Sequence, residues 1–456
     1  MLSAVNIQNG QIEFDEYRLI SEEEFDREHR RTQIEAGDVL LTIVGTIGRA
    51  AVVPACSPEF TLQRSVAVLK PTEIGPRFVK YQLQSPTTNS YLNENAKGTA
   101  QKGIYLRSLG ATPFLVPPAD EQKRIVEKID TLFAELDKGE ESLRQVQTLL
   151  ARYRQSVLKA AVTGELTADW RAERAGKLEH GRDLLERILH TRRETWEGRG
   201  SYKDPSEPDA EFTFDLPSEW AWASLSQLCF VKGGVTVDRK REPEDPVTVP
   251  YLRVANVQNG YLDLGEIKQI TVDRVKADQC LLAPGDILLN EGGDRDKLGR
   301  GWVWDGEIDP CIHQNHVFRA RPVLSDLSAK FISYYANAFG QPFFMARGKQ
   351  SVNLASISLT AISTLPVPLP PPPEQEEIVR AIEEKIAAMS EVVEACEHGL
   401  KRSAALRQSI LKDAFSGRLV PQDPNDEPAS ELLARIRQSR EAGQDRSRRR
   451  KSATGA

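Results

Sequence analysis

EQKRIV at residues 121–126 returns as EQEEIV at 374–379, and RQSVLKAAVTGEL at 154–166 returns as RQSILKDAFSGRL at 407–419. Both pairs stand 253 positions apart, from 121 to 374 and from 154 to 407, so no insertion separates the copies over this stretch. The chain is an internal duplication with a long period. Its duplicated segments keep their length as packed helices must. The match continues with shifting offsets through DLLERILHTRRE (183–194) and ELLARIRQSRE (431–441).

The repeated segments read as long helices. In the first copy Ile125, Ile129, Leu132, Leu136, Gly139, Leu143, Val146, Leu150, Tyr153, Val157 and Ala160 alternate four and three apart, a heptad seam. Ile378, Ile382, Met389, Val392, Cys396, Gly399, Ser403, Leu406 and Ile410 follow in the second, interrupted by Lys385. Prolines at 117–118 and 370–373 start the helices, where a missing N–H costs nothing, and Asp120 or Glu374 then suits the positive end. Gly164 and Gly417 mark the stops. A helix from Glu121 to Val162 spans roughly 60 Å at 1.5 Å per residue, one to two turns of B-DNA. Paired antiparallel, two such helices hold two globular domains apart with pseudo-two-fold symmetry. Periodicity alone fits a coiled-coil spacer equally well.

Upstream, the copies agree in frame and differ in side chains: SAVNIQNGQI (3–12) with RVANVQNGYL (253–262), AGDVLLTIVGTIGRAAVV (36–53) with PGDILLNEGGDRDKLGRGWVW (284–304), and Gly98 with Gly348. Short strands such as VLLTIV, SVAVLK, DILLNE and HVFRAR, then helices in RFVKYQLQSPTTNSYLNENA and SAKFISYYANAFGQPFFMA, give a mixed α/β (α+β) class. The predicted organisation is a first domain at 1–116, a long helix at 117–170, a linker with a short helix at 171–215, a second domain at 216–366, a second long helix and return segment at 367–440, and a basic disordered tail at 441–456.

Composition narrows the class. The chain has 456 residues, 40% hydrophobic and 28% charged, with no apolar run of membrane-spanning length, so a membrane role is not expected. Five scattered cysteines without CxxC spacing suit a reducing cytoplasm, and the N-terminus has no signal-peptide pattern. The net charge of −6 argues mildly against nucleic acid, but the acidic residues concentrate in the helical stretches and leave the domain loops to be basic. Those loops hold Asn256, Gln258, Asn290, Arg295, Lys297 and Arg300, then Gln314, Asn315, Arg347, Lys349 and Gln350. In the first copy Gln63 and Arg64 take the place of Gln314 and Asn315, while Lys97, Gln101 and Lys102 lie near the counterparts of Arg347, Lys349 and Gln350. Asn and Gln can be bidentate to adenine and Arg or Lys to guanine, and the same cations hold phosphates, so these are the candidate DNA-binding residues; each is also an ordinary loop residue type.

Other chemistry has little support. Cys311, His313 and His316 are metal-ligand types, but 313 and 316 of a strand point to opposite faces, and no metal site is expected. EGGDRDKLGRG is neither GxxxxGK[ST] nor GxGxxG, and GxSxG, HExxH and the NPPY or DPPY motif are absent. Asp286, Glu291 and Lys297 can be drawn into a nuclease-like acidic site, though PGDILL reads more simply as a turn entering a strand. The tail RSRRRK (446–451) touches phosphate or merely solubilises.

PSEWAWASLSQL, YLRVANVQNG and PGDILL, then PPPPEQEEIV, RQSILKDAFSGRL and DPNDEPASELLARI, together resemble the specificity subunits of type I restriction-modification systems, over nearly the whole chain. The resemblance implies two target recognition domains, each reading one half of a bipartite double-stranded DNA site, separated by helices that dock two methyltransferase subunits, with restriction/translocase subunits joining. It implies no cofactor for this chain: S-adenosylmethionine, ATP and Mg belong to the partners. It also implies that this chain is no enzyme. Two alternatives remain at this level, a stand-alone DNA-binding or coiled-coil scaffold protein, and an enzyme with a concealed nuclease or methyltransferase site. One departure bears on function. The second domain has about 34 residues, Pro217 to Pro250, before YLRVANVQNG, whereas Met1 is already level with Tyr251. A first domain without that opening strand is expected to read its half-site poorly or fold unstably, and normal two-part methylation specificity would overturn this.

Overall fold

Helix formation follows the proline and glycine punctuation closely. In the computed structural model, which describes residues 1–98, 101–196, 201–236, 243–293, 297–350 and 355–453, the two long helices run Ala119–Val162 and Pro372–Ala414. Each ends within three residues of a glycine in the left-handed region, Gly164 at φ +77° and Gly417 at φ +74°, a conformation that a Cβ would strain. The chain divides into two compact units, Met1–Val146 with Ala395–Ala456, and Gln147–Glu394. Each therefore contains one domain and part of both long helices.

Within each unit the helices pack antiparallel. In the first unit Ile125 and Ile129 share a buried cluster with Leu411 and Ala414, and Arg407 bonds Glu140 and Asp137. A Cβ on Gly399 would stand 2.8 Å from Leu143 Cδ1, so the glycine admits the leucine. In the second unit Ala161 and Val162 share the core with Ile378 and Ile382. Four residues of the predicted seam, Gly139, Tyr153, Val392 and Leu406, are exposed instead. A 3.6-residue turn drifts from a strict seven-residue repeat, so a stripe read from spacing alone leaves the contact line.

The first domain is built on a three-stranded antiparallel sheet with Val39–Thr42 between Ala50–Val52 and Val66–Leu69. Both faces are covered, with Val39 and Leu41 in one cluster and Leu40 in another, as a period of two dictates. The stretch 77–96 divides into Pro76–Gln84 and Pro86–Glu94 because Ser85, extended before a proline, caps the second helix. The second domain repeats the plan. Asp286–Asn290 lies between Gly301–Trp304 and Val317–Pro322, with Cys229–Lys232 added beyond. Ile287 and Leu289 enter one cluster and Leu288 another. A further sheet joins Lys268–Asp273, Pro246–Leu252 and Ile312–His313.

Two expectations need correction. The stretch 171–215 is no free linker: its helix Gly181–Glu194 buries Leu184 and Ile188 completely in the second unit's core. An amphipathic pattern short enough to pass for a linker helix is a core element once a sheet is present to receive it. The tail from 441 is not without structure: the helix Ala429–Ala453 runs through it, on residues of good helix propensity. No described helix is long and apolar enough to cross a membrane.

Candidate nucleic-acid interface

The two domains share their backbone frame to the level of single hydrogen bonds. In the first, Asn6 Oδ1 accepts from Ser3 N–H and Asn6 Nδ2 donates to the carbonyls of Glu13 and Glu16. In the second, Asn256 Oδ1 accepts from Arg253 N–H and Asn256 Nδ2 donates to Asp263 and Glu266. Gln8 and Gln258 each donate at 2.8 Å to the carbonyl three residues back. Asp38 and Asp286, both buried, accept from the N–H of Glu35 and Ala283, and each meets a cation at the end of the third strand, Lys70 just after it or Arg321 within it. The amide N–H groups of Gln63 and Gln314 donate to Leu2 and Leu252, both at 2.9 Å.

This frame sorts the candidate residues. Asn256 and Asn290 are buried; the Asn256 amide is spent on backbone groups, and Asn290 Nδ2 donates to Val257 at 2.8 Å while its Oδ1 has no hydrogen-bond partner among the described residues. They hold the domain and present nothing to a groove. The Gln258 amide is likewise bonded to Ala255, although the residue is half-buried. Arg347 is exposed but bridges Asp209 and Glu211, which hold it protonated and attach the 201–215 stretch to its helix. Gln314 and Asn315 are half-buried, as is Gln63; Arg64 is exposed. Lys297 and Arg300 are half-buried at the turn before Gly301–Trp304. Arg295 lies outside the described residues.

Lys97, Gln101 and Lys102 are all exposed. The backbone of Lys97 pairs with Gly103, and Gly45 N–H donates to Lys102 O. In the second domain Lys349, also exposed, pairs with Ser356, and Gln350 pairs with Ala355. Ile104 and Ile357 then donate to Ile43 and Glu291. Lys97 and Lys349 thus occupy equivalent rungs, a match that the loose alignment placed only approximately.

One pair was missed. Gly48 and Gly299 both adopt positive φ and donate to Thr42 and Asn290, while the carbonyls of Arg49 and Arg300 accept from those same residues. Arg49 is therefore the counterpart of Arg300, and the repeated Gly-Arg dipeptide was the signal that could have found it. Beside this turn the first domain has a groove of about 760 Å³ lined by Asn9, Arg49, Lys80, Gln84 and Asn89 among others. The second has a smaller one of about 230 Å³ lined by Asn259, Arg300, Asn337 and Gln341. Burial lowers the Lys80 ammonium below its ordinary range. The grooves share an Asn-Gly hairpin and a Gly-Arg turn, and otherwise differ in their side chains.

The other chemistries do not assemble. The Asp286 carboxylate is occupied by Arg321 through both oxygens, and Glu291 contacts His316. His313 is buried with Nδ1 on Val317 O, and no group of three metal-ligating side chains occurs among the described residues.

The family model described as "Type I restriction modification DNA specificity domain" matches residues 4–145 and 217–394, and the chain belongs to this family. It is 27% identical over 420 residues to the type I restriction enzyme EcoBI specificity subunit of Escherichia coli, covering 88% of this chain and 80% of that protein. It is 25% identical over 378 residues to the StySPI specificity subunit of Salmonella potsdam, covering 80% and 72%. A solved structure described as "Structural basis underlying complex assembly and conformational transition of the type I R-M system" shares the fold at a TM-score of 0.55 and 19% identity, over 84% of this chain and 83% of its own.

Proposed function

We propose that this chain recognises a bipartite double-stranded DNA site, one half by each domain, and docks methyltransferase and restriction subunits that carry out the chemistry. The observation that carries this reading is one backbone frame presented twice with different exposed side chains, which suits two readers of two different half-sites. Lys97, Gln101, Lys102 and Arg64 supply first-domain contacts, and Lys297, Arg300, Gln314, Asn315 and Lys349 those of the second. Phosphate contacts position the domains and the amide and guanidinium groups read base edges. S-adenosylmethionine, ATP and Mg are bound by the partners, and the cytoplasm is where such a complex meets DNA.

Methylome sequencing with and without the gene tests the reading: one bipartite adenine-methylation motif disappears with the gene, and an unchanged methylome would sink it. The phosphate role is tested separately. Lys97→Ala combined with Lys102→Ala is expected to lessen the salt dependence of the complex's DNA binding, reducing the slope of log K against log salt by about 2. An unchanged slope would remove those lysines from the interface.

A further inference from the structure

The groove beside the first domain's Gly-Arg turn is built from parts that the second domain repeats. Gln84 Nε2 donates at 3.0 Å to Ala50 O, just past Arg49, and Asn337 Nδ2 donates at 2.7 Å to Gly301 O, just past Arg300. Residues 84 and 337 stand 253 apart, so one helix amide clips the same turn in both domains. The Asn9-Gly10 hairpin closes over it: a Cβ on Gly10 would stand 3.5 Å from Gln84 Nε2 and 3.7 Å from Lys80 Nζ. At the position 253 residues on from Lys80 the second domain has Ser333, completely buried, with no hydrogen-bond partner for its Oγ among the described residues. The frame is shared, and at this position only the first domain places an ammonium.

This groove is positive although the chain carries a net charge of −6. Five cations and three carboxylates line it. Each carboxylate is answered from within: Asp130 meets Arg77 at 2.6 Å, Asp137 meets Arg407 at 2.6 Å, and Glu140 meets Arg407 at 3.0 Å and Arg144 at 3.3 Å. Lys80 and Arg49 are left with no carboxylate at ion-pair distance among the described residues. Arg49 is exposed, whereas Lys80 is half-buried with its ammonium 4.1 Å over the Tyr81 ring. Desolvating an ammonium without a counter-ion costs stability, and burial accordingly holds Lys80 below the ordinary lysine range. An anion entering the groove would offset that cost.

We propose that this groove is a phosphate clamp for the DNA backbone of the first half-site, with Lys80 and Arg49 as its two cations and Gln84 as the residue that positions the Arg49 turn. The inference rests on the DNA-recognition reading. A concave site of about 760 Å³ receives a convex element, and on a duplex the convex edge is the phosphodiester backbone, the base edges being recessed in the grooves. Lys80 acts as a point charge on a phosphoryl oxygen, and the Arg49 guanidinium spans two such oxygens. The second domain, with Ser333 at the equivalent position, holds its half-site without the lysine contact.

The test uses the full chain purified in complex with its methyltransferase subunits, and a duplex carrying the motif that the complex methylates. Lys80→Met, which keeps an unbranched side chain on Tyr81, and Arg49→Gln are each expected to lower the slope of log K against log salt by about 1, with the methylation motif in cells unchanged. Lys80→Arg is expected to restore the slope. Acetylation of Lys80 by a chemical reagent, read by mass spectrometry, is expected to fall severalfold when duplex is added and to be unaffected by inorganic phosphate at the same ionic strength. Parent-like slopes in both variants, or Lys80 equally reactive with and without duplex, would overturn the clamp. Protection by inorganic phosphate equal to that by duplex would overturn DNA as the source of the phosphate. A changed methylation motif would also overturn the clamp, because it would mark the substituted residue as a reader of a base. A parent complex without motif-specific binding would instead sink the DNA-recognition reading, and this inference with it.

Discussion

Arg171→Met is expected to destabilise the second unit by about 3–5 kcal/mol, the cost of leaving one member of a buried ion pair behind. Glu374 is fully buried, and three donors converge on its carboxylate: Arg171 at 2.5 Å, Thr167 Oγ1 at 2.7 Å and Trp220 Nε1 at 2.9 Å. These donors come from a short helix after the first long helix and from the segment entering the strand Ala221–Ser224. One carboxylate thus ties three separate pieces of chain together. The Arg171 guanidinium also donates to Gly164 O at 2.9 Å, so its loss frees the end of the first long helix as well. All six tryptophans lie between 170 and 304, inside the second unit, so tryptophan emission during urea unfolding reports on that unit alone. Glu374→Gln added to Arg171→Met is expected to recover most of the loss, because the amide oxygen still accepts from Thr167 and Trp220 while the unpaired charge is gone. A single variant within about 1 kcal/mol of the parent would show that the pair contributes little net stability.

Lowering the pH from 6.5 to 4 is expected to remove about 3 kcal/mol from the same unit through His313. Its side chain is completely buried, Nδ1 donates to Val317 O at 2.6 Å, and burial pushes its pKa down to about 4. The unfolded chain binds this proton at about pH 6.5, so between the two values the unfolded state carries more protons than the folded one. Stability contributed by the neutral imidazole is complete above pH 6.5 and falls with pH by about 1.4 kcal/mol per unit until pH 4. His313→Asn, whose amide nitrogen can stand at the Nδ1 position, removes the titration and should flatten this part of the profile. Urea midpoints read from tryptophan emission between pH 7 and 4.5 decide the matter: parallel profiles for the two proteins would exclude His313 as the source.

The duplication, the two long helices and their ends, the α/β class and the sheet strands Val39–Thr42, Val66–Leu69, Asp286–Asn290 and Val317–Pro322 were legible in the amino-acid sequence. Helix periodicity, proline at the start and glycine at the stop are local properties, and a repeat at constant spacing needs no contact to be seen. Even the equivalence of Gln63 and Gln314 followed from frame. Burial was not legible. Asn256 and Arg64 are both polar residues beside turns, yet one amide is locked beneath its hairpin and the other side chain is open to solvent. Sequence marks a polar residue as a hydrogen-bonding group and says nothing of whether its own backbone already uses it. The burial of the 181–194 helix depends on segments far apart in the chain meeting, since Leu184 and Ile188 share their core with Ile287 and Val367. Glu121 and Glu374 make the same point: their EQ motifs announce the same helix start, and only tertiary packing gives the Glu374 carboxylate its three donors, because hydrogen-bond satisfaction is a property of neighbours in space.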